Sequence, residues 1–231
     1  MTRPFAPEVA IVTGASRGIG RATASALARR GVSVALAGRS REALLMVERE
    51  LSGRAISIPT DVSDDAAVAA MVERAAGELG PIDLLVNNAG TLERASVVET
   101  DAAAWDRVLD VNLKGAFLCT RAVLPSMIER GRGRIVNVSS ISGKLGTPLL
   151  ASYCASKWGL LGFSLATAEE MKGKGVQVFS VCPGSVNTEM LQRGLPGAKP
   201  DMEPEDVASV IVYLGTEAPD AMTGAAVEVF G

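Results

Sequence analysis

The feature that most constrains this chain is a rhythm in which short, wholly apolar runs alternate with longer stretches of helical period. Val9–Thr13, Val32–Ala37, Ala55–Ile58, Ile82–Val86, Ile135–Ser139 and Val176–Val181 read as strands. Because these runs are apolar on both sides, both faces of each strand must be covered. Helical patterns fill the gaps at Ile19–Arg30, Arg41–Leu51, Asp64–Leu79, Ala102–Val111 with Gly115–Arg130, and Ser152–Lys172. Gly31, Gly80, Gly131 and Gly175 follow these helices as stop signals. Strands alternating with helices imply parallel pairing and right-handed crossovers. Neither a repeat nor a flexible linker divides the chain. The expectation is one α/β domain over 1–231, a doubly wound parallel sheet with helices on both faces. Ala225–Gly231 reads as a last strand.

After Val181 the rhythm breaks. The segment of about 184–204 is rich in proline and glycine and has little periodicity. It follows the C-terminal end of a strand, where open α/β sheets bind ligands, and so reads as a substrate lid.

The chain contains no histidine, which excludes Ser-His-Asp and Cys-His catalysis and histidine-based metal sites. Acid/base chemistry near neutral pH must then use Tyr, Lys, Cys or a carboxylate with a shifted pKa. A net charge of −3 gives no reason to expect nucleic acid or an anionic membrane as partner. Met1–Pro7 lacks the apolar core of a signal peptide and no apolar run could span a bilayer, so a cytoplasmic location is expected. Cys119, Cys154 and Cys182 are widely spaced, which suits reduced, partly buried thiols rather than a disulfide or metal site.

Between the first strand and first helix lies Thr13-Gly14-Ala15-Ser16-Arg17-Gly18-Ile19-Gly20. At such a junction backbone N–H groups and a helix N-terminus can face a pyrophosphate with no Cβ in the way. The spacing is G-x-x-x-G-x-G rather than the commoner G-x-G-x-x-G. Charge then selects the dinucleotide. An NAD site uses a carboxylate about 20 residues beyond the glycines to accept from the ribose 2′-OH. Here no Asp or Glu occurs between Glu8 and Glu42, while Arg17 lies in the turn and Arg39 follows the second strand. Two guanidiniums suit a 2′-phosphate, so NADP(H) is the expected cofactor.

Tyr153 and Lys157 are four apart on an expected helix and share a face. A neighbouring ammonium lowers a phenol's pKa, which would fit Tyr153 to exchange a proton with a carbonyl oxygen as hydride moves. Ser140 and Gly184 each follow the end of an expected strand, where this pair could be met.

These ordered motifs carry a resemblance. Thr13-Gly-x-x-x-Gly-x-Gly20, Asp61-Val62, Asn87-Asn88-Ala89-Gly90, Asn112, Ser140, Tyr153-x-x-x-Lys157 and Pro183-Gly-x-x-x-Thr188 resemble the short-chain dehydrogenase/reductases, single-domain group, from about Glu8 to Gly231. The resemblance implies a Rossmann-type fold and an NADPH-dependent oxidoreductase. Ser140 would bind the substrate oxygen and steady Tyr153, the general acid/base. Lys157 would hold the nicotinamide ribose and lower the Tyr153 pKa, and Asn112 would hold a water relaying protons from Lys157. Asp61 and Val62 would contact adenine, and Asn88, Ala89 and Gly90 would line the cofactor groove. Val186 and Thr188, beside Pro183 and Gly184, would hold the carboxamide, while Arg17 and Arg39 would take the 2′-phosphate. Between adjacent serines, strand alternation admits one to the site, and the family spacing to the tyrosine selects Ser140 over Ser139. Asn87 is expected to close its strand with side-chain bonds.

From Trp158 to Ala168 the helix of Tyr153 is apolar nearly all round, interrupted only by Ser164 and Thr167. Such a helix must be buried on every side, which points to a partner subunit in a homodimer or homotetramer. Two enzyme readings remain for the substrate: a small or medium ketone, or a 3-oxoacyl thioester on an acyl carrier protein. For the second, Arg130, Arg132, Arg134, Lys172 and Lys174 are the candidate contacts to an acidic carrier. A non-catalytic dinucleotide sensor is the remote alternative, opposed by the intact Ser140, Tyr153 and Lys157.

Overall fold

The computed structural model describes residues 5–231. Seven parallel strands form one sheet in the order β3-β2-β1-β4-β5-β6-β7. They are β1 Val9–Thr13, β2 Ser33–Gly38, β3 Ala55–Pro59, β4 Leu84–Asn87, β5 Gly133–Val138, β6 Val176–Pro183 and β7 Ala226–Val229. The helices are α1 Gly18–Arg29, α2 Arg41–Glu50, α3 Asp65–Leu79, α4 Ala102–Leu109, α5 Gly115–Glu129, α6 Ala151–Glu170, α7 Glu189–Gly194 and α8 Pro204–Thr216.

Two apolar layers sandwich the sheet, which is why its strands read as unbroken apolar runs. On one face Leu27 of α1, Leu44 of α2 and Val207 and Ile211 of α8 meet Val12, Leu36 and Val136. On the other, Met71 of α3, Leu118 of α5 and Ala168 of α6 meet Ile11, Leu85 and Ile135. Gly31 and Gly131 have φ of +82° and +59° just past α1 and α5, the left-handed stop expected there.

The structure departs from the sequence reading in three places. The two helical patterns around residue 112 are one continuous helix, joined by a π-turn over Asp110–Lys114. The segment expected as loop contains α7, whose N-cap Thr188 hydroxyl accepts from Leu191 N–H at 3.2 Å. The reading also passed over α8, although its start carries recognisable signals: Pro204 in the first turn, and the Asp206 carboxylate accepting from Glu203 N–H at 2.8 Å. Among the described residues no helix is long and apolar enough to cross a membrane.

Candidate active site

The order of the strands decides where chemistry can gather. β1 leads outward to β2 and β3 on one side, and β4 starts the other half of the sheet, so a crevice opens beyond the C-terminal ends of β1 and β4. The candidate residues from the motifs at the strand ends fall along that edge. Gly14–Gly20 follow β1, Arg39 follows β2, Asp61 and Val62 follow β3, Asn88–Gly90 follow β4, Ser140 follows β5, and Gly184–Thr188 follow β6.

The turn after β1 is built by sterics and by buried polar bonds. Gly14 and Gly18 have φ of +66° and +53°. A Cβ on Gly20 would stand 2.3 Å from Gly14 O, so only glycine lets α1 begin this close to β1. Asn88 Nδ2 donates to Thr13 O at 2.9 Å and to Gly14 O at 3.2 Å. The Thr13 hydroxyl accepts from the N–H groups of Asn88 and Ala89, both at 3.0 Å. Asn88 and Thr13 thus hold the turn in shape. The sequence reading did not single out Thr13, whose signal was its place directly before the first glycine. Asn87 turns into the core, donating to Asn137 Oδ1 at 2.8 Å, and closes strands together as expected.

What this turn can bind follows from the end of α1. No side chain caps it and no acid sits in its first turn, whereas Ser40, Asp64 and Asp101 cap α2, α3 and α4. The N–H groups around Ser16–Ile19 therefore fit a diphosphate. At the outer end, Ser63 donates to Asp61 Oδ1 from its N–H at 3.0 Å and its hydroxyl at 2.7 Å. These bonds, with a smaller contribution from the nearby Arg39 guanidinium, hold the Asp61 carboxyl below its usual range. Val62 is buried against Gly115. Arg39 is exposed, and Arg17 forms an ion pair with Glu189 of α7.

At the other end of the crevice α6 presents Tyr153 and Lys157, both buried, and Ser140 lies beside Tyr153. Ser139, with its strand parity, instead donates its hydroxyl to Lys157 O at 3.0 Å. One expectation needs correcting. Burial raises the Tyr153 pKa, and the Ser140 hydrogen bond opposes it. The Lys157 ammonium stands 5.7 Å from the phenol ring centroid and donates to Val138 O at 2.8 Å. Taken out of water, its pKa is pulled down to about 8. The residues of the Y-x-x-x-K pair share a helix face, but tertiary burial reverses the sign that a water-exposed pair would show.

Asn112 lies in the π-turn. Its Oδ1 accepts from Thr91 N–H at 2.7 Å, and its Nδ2 donates to Thr91 O at 2.8 Å and Ser156 Oγ at 2.9 Å. Both amide protons are used, which leaves the second lone pair of Oδ1 as the side chain's remaining hydrogen-bonding site. Ser156, which anchors Asn112, was not singled out.

Beyond Pro183, Gly184 N–H donates to Val229 O at 2.9 Å and joins the segment after β6 to β7. Val186 bridges to Met202, and the Thr188 hydroxyl donates to Val186 O at 3.2 Å. Leu92, Val108, Leu150 and Tyr153 form an apolar cluster against which Met190 and Cys154 pack.

The basic residues considered for a carrier do not face this edge. Arg130 and Arg132 both pair with Asp83, at 2.7 and 3.3 Å, and Arg134 is buried with its guanidinium on Leu214 O and Ala218 O. They lie near the start of β5, roughly 20 Å of strand away from Ser140 at its far end. Lys172 pairs with Glu169, and Lys174 precedes β6 at that same remote edge.

Comparison with known proteins agrees with this geometry. Residues 8–197 match the family model described as short chain dehydrogenase. The cis-4-hydroxycyclohexanecarboxylate dehydrogenase of Sinomonas cyclohexanicum is 39% identical, over 100% of this chain and 98% of that protein. A 3-oxoacyl-[acyl-carrier-protein] reductase of Synechocystis is 37% identical over 91% of this chain and 90% of its own. The crystal structure of levodione reductase superposes with a TM-score of 0.92 at 28% identity, covering 97% of this chain and 96% of that one. With its sheet order, its glycine turn and these likenesses, the chain belongs to the short-chain dehydrogenase family of nicotinamide-dinucleotide oxidoreductases.

Proposed function

We propose that the protein is an NADP(H)-dependent ketoreductase that interconverts a small ketone and its alcohol, with Tyr153 as general acid/base. The observation that carries this reading is the juxtaposition of Ser140 and Tyr153 under an apolar wall at the C-terminal edge of the sheet. When bound, the nicotinamide ring supplies or accepts the hydride. In reduction, Ser140 and the Tyr153 hydroxyl bind the carbonyl oxygen and Tyr153 gives it a proton. Burial keeps the phenol protonated and therefore ready to donate. Lys157, which donates to Val138 O of β5 at 2.8 Å, turns toward the cofactor ribose and stabilises the phenolate left behind. The lid and the wall of Leu92, Leu150 and Met190 exclude water from the reacting atoms.

For the cofactor, Arg17 and Arg39 with no acid near the end of β2 support NADP(H) over NAD. Arg17 must exchange Glu189 for the 2′-phosphate, so cofactor charge and lid position are coupled. Asp61, Val62 and Asn88–Gly90 would flank the adenosine and ribose, with Val186 and Thr188 at the carboxamide. The 184–204 segment is the lid of a single domain in this reading.

The relatives favour compact ketones as much as carriers, since one is described as acting on a hydroxycyclohexanecarboxylate and another as acting on a carrier-bound 3-oxoacyl group. Arg130, Arg132 and Arg134 have internal partners at the far edge of the sheet, which speaks for the free ketone over the carrier-bound substrate. A self-associating protein is also proposed. Trp158 and Leu165 on α6 are 55% and 52% exposed, and Phe117 of α5 is 41% exposed with its ring edge-on to Phe163. This apolar α5–α6 face is the subunit contact. The test of function is NADPH consumption with cyclohexanone and with a short 3-oxoacyl thioester. Consumption of either that vanishes in Tyr153→Phe supports the reading, and no turnover with NADPH bound defeats it.

A further inference from the structure

The apolar cluster of Leu92, Val108 and Leu150 includes Tyr153, the partner of Ser140, and α7 packs against it. Met190, Arg193 and Gly194 are spaced i, i+3 and i+4 and so share one face of this helix. All three meet the same wall. Met190 packs against the cluster of Leu92, Val108, Leu150 and Tyr153. A Cβ on Gly194 would stand 2.9 Å from Leu92 Cδ2 and 3.7 Å from Leu150 Cδ1, which is how close the helix backbone comes. Arg193 Nη2 donates to Leu92 O at 3.3 Å, the long end of hydrogen bonding.

That single bond leaves most of the guanidinium's donors unused. Among the described residues no carboxylate lies within ion-pair distance of Arg193. Nearby acids are spoken for: Glu189, one turn earlier on α7, pairs with Arg17, and Glu93, next to Leu92, pairs with Arg107 at 3.4 Å. The side chain is exposed, so no buried partner is needed to explain it. Yet it is held at the backbone of Leu92, a residue of the wall itself. The cluster that holds the proton donor Tyr153 is thus bordered, at Leu92, by a cation that no acid neutralises.

We propose that Arg193 is a specificity residue that binds an anionic group of the substrate, and that the substrate class is a compact aliphatic or alicyclic oxo acid with its carboxylate remote from the reacting carbonyl. This rests on the reading of Tyr153 and Ser140 as the reacting end. A planar guanidinium suits a carboxylate, which it can engage through two parallel bonds. The lid then closes on the acid it recognises, because the binding group is carried by the lid.

The test compares one ring in two charge states, 4-oxocyclohexanecarboxylate and 4-methylcyclohexanone, in the wild-type protein, Arg193→Ala and Arg193→Lys. A charge-assisted contact predicts that the wild type favours the acid in kcat/KM by at least about tenfold. That ratio falls to near one in Arg193→Ala, through KM, and recovers in part in Arg193→Lys. A wild-type ratio near one, or a ratio that survives Arg193→Ala, overturns the assignment. If neither ketone is turned over, the ketoreductase reading fails instead. Calorimetric titration of the NADPH-loaded protein with cyclohexanecarboxylate then decides Arg193 separately. Binding that is lost in Arg193→Ala upholds the anion site, and binding that is absent in the wild type or retained in the variant refutes it.

Discussion

The glycine turn and the 184–204 segment proposed as a lid meet through Arg17 and Glu189 but are held by different means. The turn is tied by short, partly buried bonds from Asn88 and Thr13, and by a Cβ-free approach at Gly20 that nothing else could occupy. The proposed lid is anchored at its base by main-chain bonds such as Asn187 N–H to Met202 O at 2.9 Å, and by buried Val186 and Met202. Its side-chain ties are exposed polar pairs: Arg17 to Glu189, Ser185 to Asp201, and Asn187 to Glu203 at 3.0 Å. Exposed pairs are worth little and exchange partners readily, whereas unmade buried bonds are costly. The difference teaches that the shape of the turn is fixed by buried bonds, whereas the side-chain ties of the other segment cost little to exchange.

The largest effect that would test this division belongs to the chemistry itself. Tyr153→Phe should lower kcat by about 10³-fold or more with NADPH binding changed less than about twofold, read by absorbance and fluorescence titration. Preserved turnover would remove Tyr153 from the reaction. Next come the glycines. Gly20→Ala should abolish dinucleotide binding and lower the melting temperature, since its Cβ must displace backbone at 2.3 Å. Gly197→Ala in the lid should only strain one left-handed residue, because φ is +82° and nothing lies within 4 Å of the new Cβ. Equal losses in the two variants would dissolve the comparison.

A pH profile sharpens it from the catalytic side. Lys157, with its pKa pulled down to about 8, is charged below that pH and neutral above it. The reduction rate, kcat/KM, should therefore be flat below about pH 8 and fall roughly tenfold per unit above it, as the charge that stabilises the departing proton's phenolate is lost. Lys157→Arg should move that break upward. An unchanged break would assign it to another group. Asn88→Ala, which deletes two bonds to the turn, should weaken NADPH binding by roughly tenfold or more. The smallest effect is Glu189→Gln: freeing Arg17 from an exposed partner should tighten NADPH a few-fold and leave NADH alone. A gain shared by both cofactors would uncouple Arg17 from the 2′-phosphate.

Much of the architecture was legible in the residues. Apolar runs as short as Val9–Thr13 can only be strands covered on both faces, and Gly14, Gly18 and Gly20 at a strand end announce a turn that excludes side chains. The helical starts at Ser40, Asp64 and Asp101 could be read because a cap is a local bond between near neighbours. Less was legible in the site. Tyr153 and Lys157 could be placed on one face by periodicity, yet the direction of their pKa shifts depended on their burial in the folded chain. The helix α7 escaped because six residues with a single threonine cap carry too little pattern to stand out from loop.

By itself, the sequence determined what depends on near neighbours: the alternation that makes a parallel sheet, the glycine turn, the absence of histidine chemistry, and the spacing that puts Tyr153 one helical turn before Lys157. Only the tertiary structure decided what depends on distant partners. It paired Arg130 and Arg132 with the buried Asp83 and buried Arg134 against backbone carbonyls and Asp220. It occupied both amide protons of Asn112 with Thr91 and Ser156, and it set Arg193 on the wall above Tyr153. The reason is range: capping and periodicity act over a few residues, whereas desolvation and charge pairing are set by whichever segments the fold brings into contact.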